Sequence, residues 1–191
     1  VEAAVANVRA PPSHGPETAR LALLANDDEL VRQICVGMLS NVAAFSESSH
    51  ARLLDSGAGE MAVAVLREMH NAEVLAEAGQ VHDKLVAWTV SLLHGLSNRP
   101  ASRPALRRAG AVAPLLRVAQ SAAKEHFAVS AAFAAANLCA DHVTASDAAA
   151  VHLPAAVLLQ AVDALPAALR GQVFAGYYFR PEMVVVGIRN L

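Results

Sequence analysis

One short phrase recurs along this chain and constrains its fold more than any other feature: an apolar helical segment that ends in an asparagine. The clearest copy is KLVAWTVSLLHGLSN, residues 84–98, in which Leu85, Trp88 and Leu92 follow the three-and-four spacing of a helix. Shorter copies end at other asparagines, so that the full set is Asn7, Asn41, Asn98, Asn137 and Asn190. Steps of 34, 57, 39 and 53 residues separate them. Periods near 40 built from helices indicate stacked helical repeats, in which no unit buries its apolar face alone.

A second phrase follows the first: a glycine, then an apolar helix. Gly57 comes shortly before EMAVAVLREM and Gly110 directly before AVAPLLRVAQ, while a third copy that begins at Val151 keeps a proline, Pro154, but has no glycine. Glycine at a helix end is common because it adopts backbone angles that other residues avoid. The ordered pair of phrases predicts repeats over residues 28–70, 83–123 and 124–165, with partial repeats at 1–27 and 166–191.

A long helix that ends Leu-Ser-Asn, then a short helix, then Gly-x-x-Pro-Leu-Leu resembles the armadillo repeat, and the HEAT repeat is the close structural competitor. The resemblance is strongest over residues 83–140. It implies an all-α fold: a right-handed α-solenoid of stacked helices, formed as a single segment over residues 1–191. Because the chain begins and ends within a repeat and lacks polar capping repeats, we expect it to be a fragment of a larger protein.

The C-terminal segment contains patterns that predict different kinds of secondary structure. Pro166 is expected to interrupt the helix that starts at Pro154, and residues 167–179 are expected to be helical. The β-branched run MVVVGI, residues 183–188, is compatible with a strand. Because Asn190 continues the repeated phrase, we predict a helix over 183–191 instead.

Composition excludes several classes of function. The net charge of −2 gives no bulk attraction to nucleic acid. The longest apolar tract, residues 148–169, is interrupted by Pro154 and Asp163, so we expect no membrane-spanning helix. Two cysteines, Cys35 and Cys139, form no disulfide framework and indicate a reducing compartment, which favours a cytoplasmic location.

The sequence carries no motif for catalysis or for a bound metal. A glycine-rich phosphate loop, a nucleophile elbow and an H-E-x-x-H zinc motif are all missing. Cys139 and His142 are three residues apart, but no second pair of ligands lies near them, whereas zinc usually takes four ligands. We therefore expect no enzyme activity, no metal and no cofactor.

The armadillo resemblance also implies which residues contact a partner. In that family the long third helices line a concave groove, and the repeated asparagine bonds the backbone of an extended peptide. A helix face repeats at steps of three and four, so the groove would include the asparagines and side chains four to eleven positions before them. The residues implied are Asn41, Ser91, His94, Asn98, His126, Ser130, Phe133 and Asn137. The alternative explanation is that each asparagine ties a helix end to the next turn.

The type of peptide is constrained by the residues four positions before the asparagines. Import receptors of the armadillo family carry tryptophan there, whereas this chain has Gly37, His94 and Phe133. Recognition of basic nuclear-import peptides is therefore not expected. Along the first long helix the same face also holds Leu30 and Ile34, which indicates packing rather than a ligand surface.

Two further clusters are candidate interfaces. The basic turn contains Arg99, Arg103, Arg107 and Arg108, which suit an acidic partner or phosphate, although such a run is also typical of a solvated connection between helices. The aromatic run in this ring-poor chain is either an interface anchor or local core filling. Its residues are Tyr177, Tyr178 and Phe179.

Together these patterns predict a non-enzymatic module that binds a segment of another protein along the groove of its long helices. The alternative is an architectural subunit of a large assembly, for example a cytoskeletal or organellar one, whose alanine-rich outer faces pack against neighbouring subunits. A polar groove favours the first function, and an apolar one favours the second.

Overall fold

The computed structural model describes residues 28–46, 48–69, 80–121, 125–140, 153–174 and 177–191. Helices dominate these residues, which agrees with the predicted all-α class, and one two-stranded ribbon accompanies them. The chain divides into two compact units, the first ending at Leu92 and the second beginning at Leu93. Each unit is described by itself. The partial repeat predicted over 1–27 lies outside the described residues.

The first unit contains three complete helices and the start of a fourth. They are α1 (Glu29–Phe45), α2 (Ser49–Asp55), α3 (Ala58–Met69) and α4 (Gln80–Ser97), and α2 contacts both α1 and α3. Helix α1 begins after Asp28, whose carboxylate accepts hydrogen bonds from the backbone N–H groups of Leu30 at 2.9 Å and Val31 at 3.3 Å. Such a side chain satisfies backbone donors that the first turn of a helix otherwise leaves unpaired, so Asp28 fixes where α1 starts.

The second unit is arranged around one helix. After α4 come a 3₁₀ turn (Pro100–Ser102), α5 (Arg103–Arg108), α6 (Val112–Ser121), α7 (Glu125–Cys139), α8 (Ala155–Leu169), β1 (Val173–Phe174), β2 (Tyr177–Tyr178) and α9 (Pro181–Asn190). Helix α7 contacts α5, α6, α8 and α9. Every residue from Ala128 to Leu138 is buried. Because most of these residues are alanine, helices can approach α7 closely from several sides.

The glycine phrase has the same local structure in both units. Gly57 and Gly110 have φ angles of 86° and 76°, which favour glycine. Their N–H groups donate to the carbonyls three residues earlier, at 2.9 Å for Gly57 and 2.8 Å for Gly110. The next residues, Ala58 and Ala111, are both fully buried. The predicted recurrence of a short helix, a glycine and a longer helix is therefore confirmed as local geometry.

Two C-terminal predictions are wrong, and one is confirmed. Helix α8 continues through Pro166 to Leu169, and a ribbon, not a helix, follows it. Because Pro166 has no N–H, only the carbonyl of Val162 loses its hydrogen bond within the helix. Pro166 and Val162 are both exposed, so water can donate a hydrogen bond to that carbonyl. The helix ends instead at Leu169, before Gly171 with its φ angle of 64°, and Gln172 N–H donates to the Ala167 carbonyl at 2.8 Å. The helix predicted over 183–191 is present as α9.

The core of the second unit centres on the ring of Phe133. Phe179 meets it edge-on, with ring centroids 6.3 Å apart and planes at 87°. Gly187 of α9 lies directly against the ring of Phe133. A Cβ atom at position 187 would overlap Cδ1 and Cγ of that ring. The remaining buried members of the cluster are Val129, Ala161, Ala164, Ala168 and Val184. The close approach of α9 to α7 therefore requires glycine at this position.

We expect Gly187→Ala to lower the free energy of unfolding by about 1–3 kcal/mol, because a methyl group in this packed core forces Phe133 or α9 to move. Urea denaturation followed by circular dichroism measures the loss. The matched control is Val185→Ala in the same helix, at a side chain that is 50% exposed. Equal stability of Gly187→Ala and the wild type would contradict the close packing of α9 on α7.

Candidate functional site

Three of the recurring asparagines are joined to one another by side-chain hydrogen bonds. The amide nitrogen of Asn190 donates to the amide oxygen of Asn137 at 2.7 Å. The amide nitrogen of Asn137 donates to the amide oxygen of Asn98 at 3.3 Å and to the Ser97 hydroxyl at 3.2 Å. Asn98 in turn donates to the backbone carbonyl of His94 at 2.8 Å. We call Asn98, Asn137 and Asn190 the asparagine chain; it links the C-terminal ends of α4, α7 and α9.

Asn137 is the centre of the asparagine chain and is fully buried. A buried primary amide must have hydrogen-bond partners, because leaving its donors and acceptor unpaired costs the desolvation of each group. The three side-chain bonds supply those partners from two other helices. These bonds are structural, as in the alternative explanation of the repeated asparagine, but they join helix ends that are distant in sequence rather than a helix end and its next turn. They occupy the groups that a peptide backbone would need.

We expect Asn137→Ala to lower the free energy of unfolding by about 2–4 kcal/mol, because it breaks these bonds and leaves buried polar atoms of its neighbours unpaired. Asn41→Ala removes the same side chain from an exposed position and should change stability by less than about 0.5 kcal/mol. Urea denaturation of both variants measures the difference. Equal losses would contradict the distinct roles of the two asparagines.

His94 lies one helical turn before Asn98 and is also fully buried. Neither ring nitrogen has a hydrogen-bond partner among the described residues, and the ring packs against Phe133 with centroids 5.7 Å apart. Burial lowers the pKa of the imidazole from 6.5 to about 4, because desolvation disfavours the charged ring. His94 is therefore a neutral packing residue in the folded state, although it occupies a position that the family resemblance assigns to the groove.

His94 makes stability depend on pH in a defined direction. Its pKa in the fold, about 4, lies below the ordinary value of 6.5, so the unfolded chain binds the proton more readily. The contribution of the neutral ring is complete above pH 6.5 and is lost as the pH falls to about 4. A shift of this size corresponds to roughly 3 kcal/mol at 1.36 kcal/mol per pKa unit.

We expect the wild type to lose this amount relative to His94→Leu between pH 6.5 and pH 4, with the two proteins of similar stability at pH 7. Urea denaturation across this range measures the difference in the free energy of unfolding between the two proteins. Titration of the other groups contributes equally to both proteins and cancels in that difference. Parallel pH profiles for the two proteins would contradict the burial of a neutral imidazole at this position.

The other predicted groove residues of the second unit, with Ser91 of the first, are also placed inside. Phe133 is fully buried, Ser130 is 3% exposed, and Ser91 is 7% exposed and accepts a hydrogen bond from Ser40 at 2.9 Å. The side chain of His126 lies outside the described part of the structure. Ser91 in the first unit, and His94, Ser130, Phe133 and Asn137 in the second, are therefore buried among the described residues of their own units rather than exposed along a helix face.

The arginine turn divides into structural and exposed members. Arg103 is buried, and its Nε donates to the Ser97 carbonyl at 3.0 Å. Arg107 donates to the Leu138 carbonyl at 2.8 Å, where the end of α7 leaves backbone acceptors unpaired. Arg99 and Arg108 are exposed. The predicted basic surface is therefore reduced, since two of its four guanidinium groups bond carbonyls of the chain itself.

The aromatic run is split by the ribbon. Tyr177 and Tyr178 form β2, which pairs antiparallel with β1 and places Val173 opposite Tyr178. The tyrosine side chains lie outside the described set. Phe179 is 1% exposed and packs against Phe133 and Phe174. Phe179 therefore fills the core, which is the second of the two roles that the sequence leaves open for it.

The face of α1 before Asn41 is exposed, contrary to the packing role expected from its sequence. Leu30 and Ile34 are each 53% exposed and Met38 is 44% exposed. Asn41 is exposed, and no hydrogen bond within the described residues involves its amide. We call Leu30, Ile34, Met38 and Asn41 the α1 face. It places three apolar side chains and one available amide in a row.

The opposite side of α1 explains why the exposed residues could not be recognised from sequence. Val36 and Leu39 are fully buried there, and Gly37 lies beside the ring of Trp88. Arg32 makes a paired hydrogen bond with the carboxylate of Glu68 on α3, at 2.9 and 2.7 Å. Helix α1 is apolar on both sides, so its hydrophobic spacing does not reveal which side is core. The buried side is marked by long-range contacts such as the Arg32–Glu68 ion pair, which sequence alone does not show.

Two other kinds of site are missing from the described residues. No group of three or more His, Cys, Asp or Glu side chains in this part of the chain is placed to hold a metal ion. None of the described helices combines the length and hydrophobicity needed to cross a membrane. Neither Cys35 nor Cys139 forms a disulfide. The cytoplasmic location stays a prediction.

Comparison with known proteins identifies no relative: no family model, no curated protein and no solved structure matches this chain.

Proposed function

We propose that this chain is a segment of an armadillo-like solenoid that binds an extended stretch of another protein, without chemistry of its own, through the α1 face. The observation that carries the proposal is the exposure of Leu30, Ile34 and Met38 in line with the exposed amide of Asn41. Exposed apolar residues grouped on one face mark interaction surfaces, whereas isolated ones need no explanation. The exposed amide of Asn41 distinguishes this face from the wholly apolar surface that would favour the architectural role. The recurring order of helices and glycine turns supports the solenoid.

The spacing of the α1 face suits an extended peptide. Residues four apart on a helix rise by about 6 Å. Alternate side chains of an extended chain repeat at roughly 6.6 Å. Leu30, Ile34 and Met38 therefore match three alternate side chains of a peptide that runs along the helix. The whole face, from Leu30 to Asn41, is about 16 Å long, which corresponds to about five extended residues.

Asn41 gives the proposed site its polar contact. A primary amide offers both a donor and an acceptor, so it can bond one N–H and one C=O of a peptide backbone. Asn137 has lost this capacity to its neighbours, whereas Asn41 retains it. The partner is thus an apolar, extended protein segment, and the binding energy is divided between three apolar contacts and a backbone amide pair.

A displayed library of random peptides tests this function. Peptides enriched on the wild-type chain should carry alternating apolar residues and should bind Ile34→Asp at least tenfold more weakly, because the variant places a charge in the apolar row. Asn41→Ala should weaken binding by a factor of about 3–10, the value of one or two hydrogen bonds. N-methylation of the central peptide amide should have a similar effect on the wild type.

Leu159→Asp provides the matched control, since Leu159 is an exposed apolar residue of the second unit, and this variant should bind the selected peptides normally. Peptides that bind the Ile34 and Asn41 variants as tightly as the wild type would overturn the α1 face as the site. In that case the architectural alternative, in which outer helix faces carry the contacts, becomes the better account.

A further inference from the structure

The α1 face contains a side chain whose polarity an oxidant can change. Of its three apolar residues, Met38 is the one that carries a thioether sulfur, and it is 44% exposed. The chain has four methionines, and all four lie in described helices. Met69 is 5% exposed, and Met61 and Met183 are intermediate in exposure. Met38 is therefore the methionine that a dissolved oxidant reaches most readily.

Met38 lies next to the amide that gives the proposed site its polar contact. Residues three apart on a helix, such as Met38 and Asn41, are neighbours with Cβ atoms about 5–6 Å apart. Side chains of a helix lean toward its N-terminus, so the side chain of Asn41 leans toward Met38. In the proposed complex, the thioether and the amide therefore contact the same end of the bound peptide.

Oxidation of Met38 adds one oxygen atom to its sulfur. When a hydroperoxide reacts with a thioether, the O–O bond breaks, an S–O bond forms, and the peroxide leaves as water or as an alcohol. The sulfur is oxidised by two electrons, and the peroxide is reduced by the same two. The product is methionine sulfoxide, in which a flexible apolar side chain has become polar. The sulfoxide oxygen is also an acceptor of hydrogen bonds.

The sulfoxide affects both kinds of contact in the proposed site. Covering the polar S–O group with an apolar side chain of the peptide costs the desolvation of that group. The sulfoxide oxygen can also accept a hydrogen bond from the amide nitrogen of Asn41, which then no longer donates to a peptide carbonyl. One added oxygen atom therefore weakens an apolar contact and a backbone hydrogen bond together.

We propose that Met38 is a redox modification site: oxidation by a hydroperoxide releases the peptide from the α1 face, and reduction of the sulfoxide restores binding. This inference rests on the proposed peptide-binding function of that face. Methionine sulfoxide reductases reverse the reaction, with one enzyme for each epimer of the sulfoxide. In the reduction, two thiols become a disulfide, and the oxygen atom leaves as water. Bound peptide covers Met38, so the free site is oxidised faster than the occupied one.

Peptides selected from the displayed library serve as the ligand in the test. The whole chain is treated with hydrogen peroxide and then with dithiothreitol, which reduces sulfenic acids and disulfides but leaves the sulfoxide. Mass spectrometry of proteolytic fragments gives the oxidised fraction of each methionine, and fluorescence anisotropy gives the affinity. The oxidised wild type should bind about tenfold more weakly. The loss should follow the oxidation of Met38 rather than that of Met183, and the two reductases together should reverse it.

Two leucine variants separate Met38 from the other oxidisable residues. Each variant is compared with itself before and after peroxide. Met38→Leu has no sulfur at this position, so it should show the same affinity before and after treatment. Met183→Leu makes the same substitution in the second unit and should lose affinity as the wild type does. Saturating peptide should slow the oxidation of Met38 in the wild type and leave that of Met183 unchanged. Circular dichroism confirms that each oxidised protein remains helical.

The possible failures of this inference differ from those of the proposed function. A peptide that protects Met38 but binds equally well after its oxidation would overturn the redox switch and leave the α1 face as the site. An equal loss of affinity in oxidised Met38→Leu would also overturn the switch, because another residue would then cause the loss. A selected peptide that binds without slowing the oxidation of Met38 would contradict the α1 face as the site, and the switch would fail with it.

Discussion

The second unit depends on the requirement that a buried amide be hydrogen-bonded. Asn137 lies inside the protein, where water cannot supply partners, so Ser97, Asn98 and Asn190 must supply them. Each of these bonds holds only when the ends of α4, α7 and α9 are in register. The cost of an unpaired buried amide penalises any slip of one helix along another. Three side chains of one type thereby fix the alignment that apolar packing alone leaves loosely defined.

Phe133 adds apolar packing that supports this alignment of the helices. Its ring fills the space beneath Gly187 and meets Phe179 at its edge, while His94 packs on it as a neutral ring. Polar and aromatic residues therefore both pack inside this core. These are the residues that the family resemblance assigns to ligand contact. Because these residues are buried, they are not candidates for a binding surface in the second unit. The described surface that combines apolar contact with an exposed amide is the α1 face of the first unit.

The sequence was sufficient for features that depend on local chemistry. The glycine turns at Gly57 and Gly110 follow from backbone constraints within a few residues. The helix before Asn190 was indicated by the repeated phrase, although its β-branched run alone is compatible with a strand. Pro166 misled because its effect on α8 depends on whether the released carbonyl faces water, which is a property of the fold. The sequence shows that asparagine recurs, but it does not show the difference in role between Asn137 and Asn41. Asn137 is buried and Asn41 is exposed only because of contacts made by residues far away in sequence.

The same limit explains the two apolar faces. Helices α1 and α8 carry apolar residues all round, so periodicity marks them as helices without identifying the side that packs. In α1 the buried side is identified by the ion pair between Arg32 and Glu68, and in α8 by the contact with α9. Both exposed faces follow from these long-range contacts. They differ in that the α1 face includes an amide, whereas the exposed side of α8 is apolar apart from Asp163.

The central claim is that one recurring residue type supports the fold in the second unit and remains available for binding in the first. Hydrogen exchange of the asparagine side-chain amides, followed by nuclear magnetic resonance on the whole chain, tests it most directly. The account predicts strong protection for Asn137 in the free protein and none for Asn41, with protection of Asn41 appearing only when a selected peptide is added. Rapid exchange at Asn137, or protection of Asn41 in the free protein, would contradict it.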